Sequence, residues 1–276
     1  MRLWDGIATR LRESGIVYDE AATSRPLEAI EIAQRDAPRY DCVVAAGGDG
    51  TVHEVVNGLM RAGATAALGL IPLGSGDDFA KLLPPADPVA RLKRGTLRRF
   101  DVGRVVARET RYFANGMDIG FGAHGARNVA SVPGFFKGFA AYLGALALTL
   151  LRYPSLRVRV RIDDAAPATL TTVMTAVMNG TTFGGKFRVC PEARPDDGLL
   201  DLLIVDAIGR VAILSLVRKI LRGAHAGDPR LRLLRVRRMA IESDCALLVE
   251  ADGEIAFDDA RRLEIDVLPG ALQVVG

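Results

Sequence analysis

Apolar and polar residues along the first hundred positions follow two alternating patterns. Apolar residues at helical spacing predict three helices, over Leu3–Ser14, Pro26–Asp36 and Val52–Ala62. Short apolar runs between them predict three strands, over Ile16–Tyr18, Asp41–Ala46 and Ala67–Pro72. Helices and buried strands that alternate in this way are typical of a doubly wound α/β domain with a parallel sheet.

Beyond about Phe100 the apolar positions recur with a period of two, which is typical of antiparallel strands. The predicted strands are Leu156–Ile162, Thr169–Met178, Leu199–Val205, Arg230–Arg237, Ala246–Glu250 and Arg262–Val267. We expect the boundary near Lys93–Asp101. This places an α/β domain over residues 1–98 and a mostly antiparallel domain over residues 99–276.

The longest apolar stretch runs from Gly138 to Leu151. It is shorter than the roughly 20 residues that a membrane-spanning helix needs. The pattern favours a buried helix, and a helix lying in one leaflet of a membrane is the alternative. We expect no membrane span.

The composition narrows the class of protein further. Hydrophobic residues make up 49% and charged residues 25% of the 276 positions, a balance that excludes a disordered chain. The net charge of +3 is too small to indicate nucleic-acid binding. Cysteines and histidines are too few and too scattered for a disulfide framework or a zinc site. We therefore expect a cytoplasmic protein in which carboxylates carry the acid–base chemistry.

Two glycine-rich loops each follow a predicted strand. In the first, Gly47, Gly48 and Gly50 flank Asp49 directly before a helix, whose free N–H groups are suited to bind phosphate. An ordinary turn with Asp49 or Thr51 as helix cap is the alternative. The second loop follows the next strand as Gly74-Ser-Gly-Asp-Asp78. Because parallel strands end at the same edge of a sheet, we expect the two loops to meet there.

These motifs resemble those of the diacylglycerol kinase catalytic-domain family, bacterial lipid kinases related to sphingosine kinases and, more distantly, to NAD kinases. The first loop, Gly47 to Glu54, is similar to the family's GGDGTxNE, and Pro72 to Lys81 is similar to its GTxNDFAR. Further similar stretches are Thr23-Ser-Arg-Pro, Phe113-Ala-Asn115 to Gly122-Ala, Met178-Asn-Gly180 to Gly185, Pro191 to Asp201 and Asp252-Gly-Glu254. The resemblance implies a nucleotide-binding domain followed by a β-sandwich-like domain, with the last few residues returning to the first domain.

The sequence departs from the family pattern at several positions. It begins after the strand and Asn-Pro-x-Ser-Gly loop with which family members usually start, so either the start is misplaced or a phosphate contact is lost. Ser75 stands for the usual Thr, and Asp77 for the usual Asn. His53 also replaces an Asn. Asp77 adds a negative charge near the expected phosphates.

The resemblance also implies roles for individual residues. The positions that match nucleotide-contacting residues are Thr23, Gly47, Gly48, Asp49, Gly50, Thr51, Glu54 and Ser75. Glu254 matches the proton acceptor, and Asp49 competes with it as base or as magnesium ligand. A structural magnesium site would comprise Asp197 with Arg194 and Leu199, and one carboxylate with carbonyl oxygens suits that ion. On the residues alone, Asp252-Gly253 is equally consistent with a hairpin turn.

A third glycine pattern, Gly120-Phe-Gly122-Ala-His-Gly125, matches the dinucleotide fingerprint only in its glycines. The fingerprint needs an acid about 20 residues further on, and none occurs between Asp118 and Asp163. We interpret this segment as packing or as interdomain backbone.

Two arginine clusters lie in the second half of the chain. Arg157, Arg159 and Arg161 share one face of a predicted strand, and the second cluster comprises Arg230, Arg232, Arg235, Arg237 and Arg238. A solvated sheet face is the commoner explanation. The alternative hypothesis is a docking surface for anionic lipid.

Together these features predict an enzyme that uses ATP and Mg²⁺ to phosphorylate a hydroxyl of a diacylglycerol-like or other long-chain lipid. An NAD kinase-like enzyme and a non-catalytic nucleotide- or lipid-binding module are the alternatives. The expected partners are the lipid substrate and, at the periphery, an anionic membrane face, without nucleic acid. The sequence leaves a homodimer and the identity of the acceptor open.

Overall fold

The computed structural model describes residues 2–128, 144–145, 147–150 and 155–276. Its helices are α1 (Arg2–Glu13), α2 (Glu28–Asp36), α3 (Asp49–Ala62), α4 (Pro88–Arg94), α5 (Phe121–Asn128) and α6 (Arg210–Arg222). Its first strands are β1 (Cys42–Gly47), β2 (Ala67–Pro72), β3 (Leu97–Val106), β4 (Thr110–Phe113) and β5 (Gly116–Gly120). The later strands are β6 (Leu156–Ile162), β7 (Ala168–Met178), β8 (Leu200–Asp206), β9 (Leu231–Val236), β10 (Arg238–Ala251) and β11 (Glu254–Val275).

The amino-terminal part has helices on both faces of a parallel strand pair. β1 and β2 pair in parallel from Cys42 and Ala67 onward. Side chains of α2 and α3 pack on one face, whereas Leu11 of α1 and Val89 of α4 pack with Ile71 on the other. This arrangement confirms the doubly wound pattern, and each predicted helix here has a counterpart within a few residues of its expected bounds.

The predicted strand over Ile16–Tyr18 is wrong. These residues are irregular, because the N–H of Ile16 donates to the carbonyl of Leu11 and closes the end of α1. Ile16 and Tyr18 instead pack against the Leu11 and Val89 cluster. Their apolar character therefore reflects packing against helices, which a three-residue pattern does not distinguish from a strand.

The second part is mostly antiparallel, as expected, but two of its strands share one position in the sheet. β5 and β6 both lie between β7 and β10, paired antiparallel with each. The chain leaves the sheet after Gly120, opposite Met174, and returns at Leu156, opposite Thr172. An irregularity in the pairing of β7 with β8 lies between these two partners. The chain therefore leaves the middle of the sheet at the end of β5 and re-enters it at the start of β6.

The last strand joins the two parts. Its first half pairs with β10, its later residues pair with β3, and Val274 pairs in parallel with Leu68 of β2. Leu272 and Val274 are buried in the same cluster as side chains of α2 and α3. The carboxyl-terminal residues thus return to the α/β part, while the boundary at residues 98 and 99 stays a prediction because β3 runs through it.

The predicted apolar helix over Gly138–Leu151 falls partly outside the described residues. Residues 144–145 and 147–150 are helical, with Ala145 and Thr149 buried and Leu148 half-exposed. Leu150 packs against the cluster that holds Leu216 and Ile220 of α6. Among the residues described, no helix has both the length and the apolar character to span a membrane.

A buried carboxylate, that of Asp252, links three parts of the chain. It accepts the backbone N–H groups of Ala114, Asn115 and Gly116, each at 2.9 Å. It also lies 3.2 Å from Nδ1 of His53 on α3. Asp252 is 7% exposed and occupies the hairpin turn between β10 and β11, so this turn is fastened to the β4–β5 turn and to α3.

We expect Asp252→Asn to destabilise the protein by about 3 kcal/mol. The amide nitrogen of Asn cannot accept the backbone N–H hydrogen bonds that the Asp252 carboxylate accepts. Asn tolerates the left-handed backbone of Asp252 (φ 50°), so the substitution isolates the change in hydrogen bonding. Thermal unfolding measures the loss. The exposed Asp259→Asn is the matched control, and equal melting temperatures for the two variants would contradict the role given to Asp252.

Candidate active site

The two predicted glycine loops meet at the ends of β1 and β2. A Cβ atom built on Gly48 would lie 3.1 Å from the Cα of Gly74, and one built on Gly74 would lie 2.6 Å from the Cα of Gly48. The two backbones therefore touch, which only glycine at these positions allows. α3 begins at Asp49, and Gly48 caps it without a side-chain hydrogen bond. Neither alternative cap, Asp49 or Thr51, is the residue at the cap position.

A third glycine segment, from the β-rich part, closes the site. The N–H of Gly185 donates to Asp78 at 2.8 Å, and Nζ of Lys81 donates both to Asp78 and to the carbonyl of Gly185, at 2.7 and 2.6 Å. Thr182 adds a hydroxyl donor to Asp78 at 2.7 Å. Between these segments lies a cavity of about 430 Å³. It is lined by residues that include Asp49, Ser75, Phe183, Lys186 and Glu250.

Glu254 lies over the first turn of α3. The hairpin turn at Asp252 and Gly253 ends with Glu254 as the first residue of β11. A Cβ atom built on Gly50 would lie 2.9 Å from Oε1 of Glu254. The turn that the sequence predicted is confirmed, and it brings an exposed carboxylate beside the glycine loop that begins the helix.

Asp49 is a carboxylate whose negative charge is poorly compensated by the surrounding groups. Its Oδ1 accepts the N–H of Phe79 at 3.3 Å, and its Oδ2 faces Gly76. Burial, followed by the nearby Asp78 carboxylate, raises the pKa of Asp49 to about 6. A desolvated carboxylate next to a second one is favourable for binding a cation.

The residues present fit a nucleotide with its magnesium ion. The first N–H groups of α3 are uncapped by side chains, which suits phosphate. Asp49 and Asp77 would repel that phosphate unless a divalent cation offset the charge, and carboxylate oxygen is a ligand that Mg²⁺ prefers. Asp77 itself is partly engaged, since its Oδ1 accepts the N–H of Gly74 at 3.0 Å. Asp77, which stands where the family usually has Asn, therefore still accepts the hydrogen bond that closes the second glycine loop.

Glu54, another residue predicted to contact the nucleotide, has its carboxylate hydrogen-bonded to backbone. Both oxygens of Glu54 accept backbone N–H groups, from Leu27 and Ala29, each at 3.0 Å. Glu54 thus holds the first turn of α2, where Leu27 has a left-handed backbone (φ 66°). Thr23 is exposed in the irregular segment before α2. Thr51 lies against Gly47, since a Cβ atom built on Gly47 would overlap the Thr51 hydroxyl.

The predicted structural magnesium site at Arg194, Asp197 and Leu199 does not fit a cation as it stands. One oxygen of Asp197 accepts the N–H of Leu199 at 3.1 Å, and the other pairs with the guanidinium of Arg235. A bound cation would have to displace that arginine. No group of three His, Cys, Asp or Glu side chains in the described part of the chain is arranged to hold a metal ion. This site stays a prediction.

Sequence reasoning missed two buried carboxyls beside the cavity, Asp118 and Glu250. They are direct neighbours across β5 and β10, are at most 1% exposed, and each has one oxygen without a hydrogen-bond partner. Oδ1 of Asp118 accepts the N–H of Ala123 at 2.5 Å, and a Cβ atom on Gly122 would touch it. Gly122 and Ala123 of the third glycine pattern therefore pack against Asp118, which agrees with the packing interpretation. A period-two strand pattern does not reveal which polar residue faces inward.

Glu250 also supports the turn that carries Glu254, since it accepts the N–H of Gly253. Burial, and then the neighbouring Asp118, raises the pKa of Glu250 well above its ordinary value. Burial likewise raises the pKa of Asp118 to about 7. With both carboxyls neutral or sharing a proton, the pair can exist in the core without a buried double charge.

We expect Asp118→Asn to change how stability depends on pH. Between about pH 4 and 7 the folded protein keeps the Asp118 proton that the unfolded chain releases, so this group makes stability fall as pH rises. Over this pH range Asp118 lowers the free energy of unfolding by at most about 4 kcal/mol. Urea unfolding of both proteins from pH 4.5 to 8 measures the difference. Asp259→Asn should keep the wild-type profile, and an unchanged profile for Asp118→Asn would contradict the assignment.

Comparisons with known proteins agree with this geometry. The family described as the diacylglycerol kinase catalytic domain matches residues 1–105, and that described as the YegS C-terminal NAD kinase beta sandwich-like domain matches residues 116–276. A "Probable lipid kinase YegS-like" of Chromohalobacter salexigens is 34% identical over 271 residues, which cover 95% of this chain and 85% of that protein. A "Diacylglycerol kinase" of Bacillus subtilis is 28% identical over 259 residues, which cover 90% and 82%.

Solved structures show the same fold. A diacylglycerol kinase from Bacillus anthracis str. Sterne superposes with a TM-score of 0.66 at 21% identity, covering 92% of this chain and 82% of that one. An NAD kinase from Archaeoglobus fulgidus in complex with ATP gives 0.50 at 15% identity, covering 92% and 90%. The fold is thus the one shared by diacylglycerol kinases and NAD kinases. By its family matches and its relatives, the chain belongs to the diacylglycerol kinase catalytic-domain family, within its lipid kinase branch.

Proposed function

We propose that the protein is an ATP-dependent lipid kinase that phosphorylates a hydroxyl of a diacylglycerol-like or other long-chain lipid. The observation that carries this proposal is the position of the Glu254 carboxylate over Gly50, at the uncapped start of α3. A phosphate-binding helix end and a candidate base lie side by side there. Phosphoryl transfer to an alcohol needs both.

The chain's residues divide this work between them. The backbone of Gly48 to Thr51 and of Gly74 to Gly76 would hold the nucleotide phosphates, with Ser75 at the cavity wall. Asp49 would hold Mg²⁺. When bound, ATP supplies the phosphoryl group and the metal ion offsets negative charge. Glu254 would take the proton of the acceptor hydroxyl, and the cavity beside it would exclude water.

A lipid acceptor is supported by the shape of the site and by the relatives. Phe79, Ala114, Ala126 and Phe183 give the cavity an apolar wall beside the carboxylates. The relatives that match most of this chain bear the names lipid kinase and diacylglycerol kinase. Peripheral contact with an anionic membrane belongs to the same proposal, because a long-chain acceptor resides in a membrane. An NAD kinase-like activity is the second candidate, since an NAD kinase shares the fold.

We expect Glu254→Gln to lower turnover by about 10²- to 10⁴-fold with little change in ATP affinity, because it removes the proton acceptor and keeps the shape. Glu264→Gln, an exposed position on the same strand, is the matched control. Gly48→Ala should instead weaken ATP binding, since its Cβ would separate the two glycine loops. Steady-state kinetics and ATP titration measure these effects. Unchanged turnover in Glu254→Gln would refute its assignment as base.

The acceptor class is tested by incubating the protein with Mg²⁺, γ-labelled ATP and either a total lipid extract or NAD. We expect label in the lipid fraction and none in NAD. Label in NAD alone would favour the second candidate. ATP binding without transfer to either acceptor would indicate a non-catalytic binding module and overturn the proposed function.

A further inference from the structure

The outward face of α6 combines apolar and basic side chains. Val211 is 82% exposed and Leu214 is 50% exposed. Arg218 and Arg222 follow at steps of four residues, so all four side chains lie along one stripe of the helix. The inward face is already used, because Leu216 and Ile220 are buried in the core. The exposed stripe is therefore not required for packing α6 onto its own domain.

The charge on α6 has one sign. The helix carries Arg210, Arg218, Lys219 and Arg222 and no acidic residue. Lys219 is paired with Asp228, but the side chains of Arg218 and Arg222 have no hydrogen bond or ion pair with any described residue. Two like charges four residues apart destabilise an isolated helix. The helix dipole favours cations near its last turn, yet it gives no reason for exposed Val211 and Leu214 in the first turns.

The arginine clusters singled out from the sequence lack this combination. In the second cluster Arg230, Arg232, Arg235 and Arg238 are each paired with an aspartate, so most of that charge is neutralised within the fold. Arg157, Arg159 and Arg161 are exposed on β6, but the residues between them, Val158 and Val160, are buried. That strand face is basic without being apolar. Binding to an anionic membrane is favoured by basic and apolar side chains on the same face.

The stripe is also joined to the cavity through a short segment of chain. The N–H of Arg188 donates to the carbonyl of Ile220, in the last turn of α6. Gly223, which ends the helix, packs against Arg188 and Pro191. Only a few residues before Arg188, Phe183 to Lys186 line the cavity. Helix α6 thus lies next to the segment that forms one wall of the candidate active site.

We infer that the Val211, Leu214, Arg218 and Arg222 stripe of α6 is a docking surface for an anionic lipid membrane. The apolar side chains would enter the headgroup region while the two guanidiniums contact lipid phosphates. The inference rests on the proposed function for its purpose, which is to bring a membrane-resident acceptor to the cavity. The binding itself requires neither ATP nor turnover.

The test is sedimentation of the full chain with vesicles of phosphatidylcholine alone or mixed with phosphatidylglycerol. Wild type should bind the anionic vesicles and be released by salt. Arg218→Gln with Arg222→Gln should lower the affinity about 10- to 30-fold, and Val211→Ser with Leu214→Ser should lower it as well. Arg157→Gln with Arg159→Gln is the matched control and should bind as wild type. All three variants change exposed side chains, so unchanged melting temperatures confirm folding.

Three results would overturn the inference. The first is equal binding of wild type to neutral and anionic vesicles, and the second is loss of binding in the β6 variant alone. The third is that wild type does not bind vesicles but forms a concentration-dependent dimer, which Val211→Ser with Leu214→Ser abolishes. Transfer of label to a short-chain, water-soluble diacylglycerol tests the proposed function separately. A stripe variant should retain that activity, and a protein that binds vesicles without any transfer would refute the kinase and leave the docking surface standing.

Discussion

The fold depends most on one buried carboxylate, that of Asp252. It receives three backbone N–H groups from the β4–β5 turn and faces His53 of α3, 199 residues away in sequence. A carboxylate buried with a full set of donors is strongly held, and its removal would leave those donors unpaired. The same turn carries Glu254. The interaction that joins the two parts of the chain therefore also sets the position of the candidate base.

The cavity beside this turn contains more acidic groups than its surroundings compensate. Asp78 is neutralised by Lys81 and held by Thr182 and Gly185, whereas Asp49 keeps one oxygen facing the glycine loops. Burial raises the pKa of both Asp118 and Glu250, so the two carboxyls need not both be charged in the core. This division leaves the Asp49 carboxylate for a cation, whereas Asp118 and Glu250 are buried away from solvent.

An interruption of the sheet connects the cavity to the surface. Because β5 and β6 occupy one position between β7 and β10, the chain leaves the sheet after Gly120, close to Asp118, and returns at Leu156. The described part of that excursion packs Leu150 against the cluster of α6. The segment around Phe187 and Arg188 joins the same cluster to the cavity wall. The proposed docking surface on α6 and the candidate active site thus belong to neighbouring elements.

The amino-acid sequence by itself determined the features that depend on neighbouring residues: the helix and strand periods, the glycine loops and the turn before Glu254. Glycine and turn residues act locally, so their patterns are visible without the fold. Tertiary structure alone decided contacts between distant positions. It placed Asp118 opposite Glu250 and made the carboxylate of Glu54 accept backbone N–H groups at the start of α2. It also placed Ile16 at the end of α1 and paired the arginines of β9 with aspartates from other elements. A side chain's burial and partners depend on which strands become neighbours, and strand order is set by the packing of the whole chain.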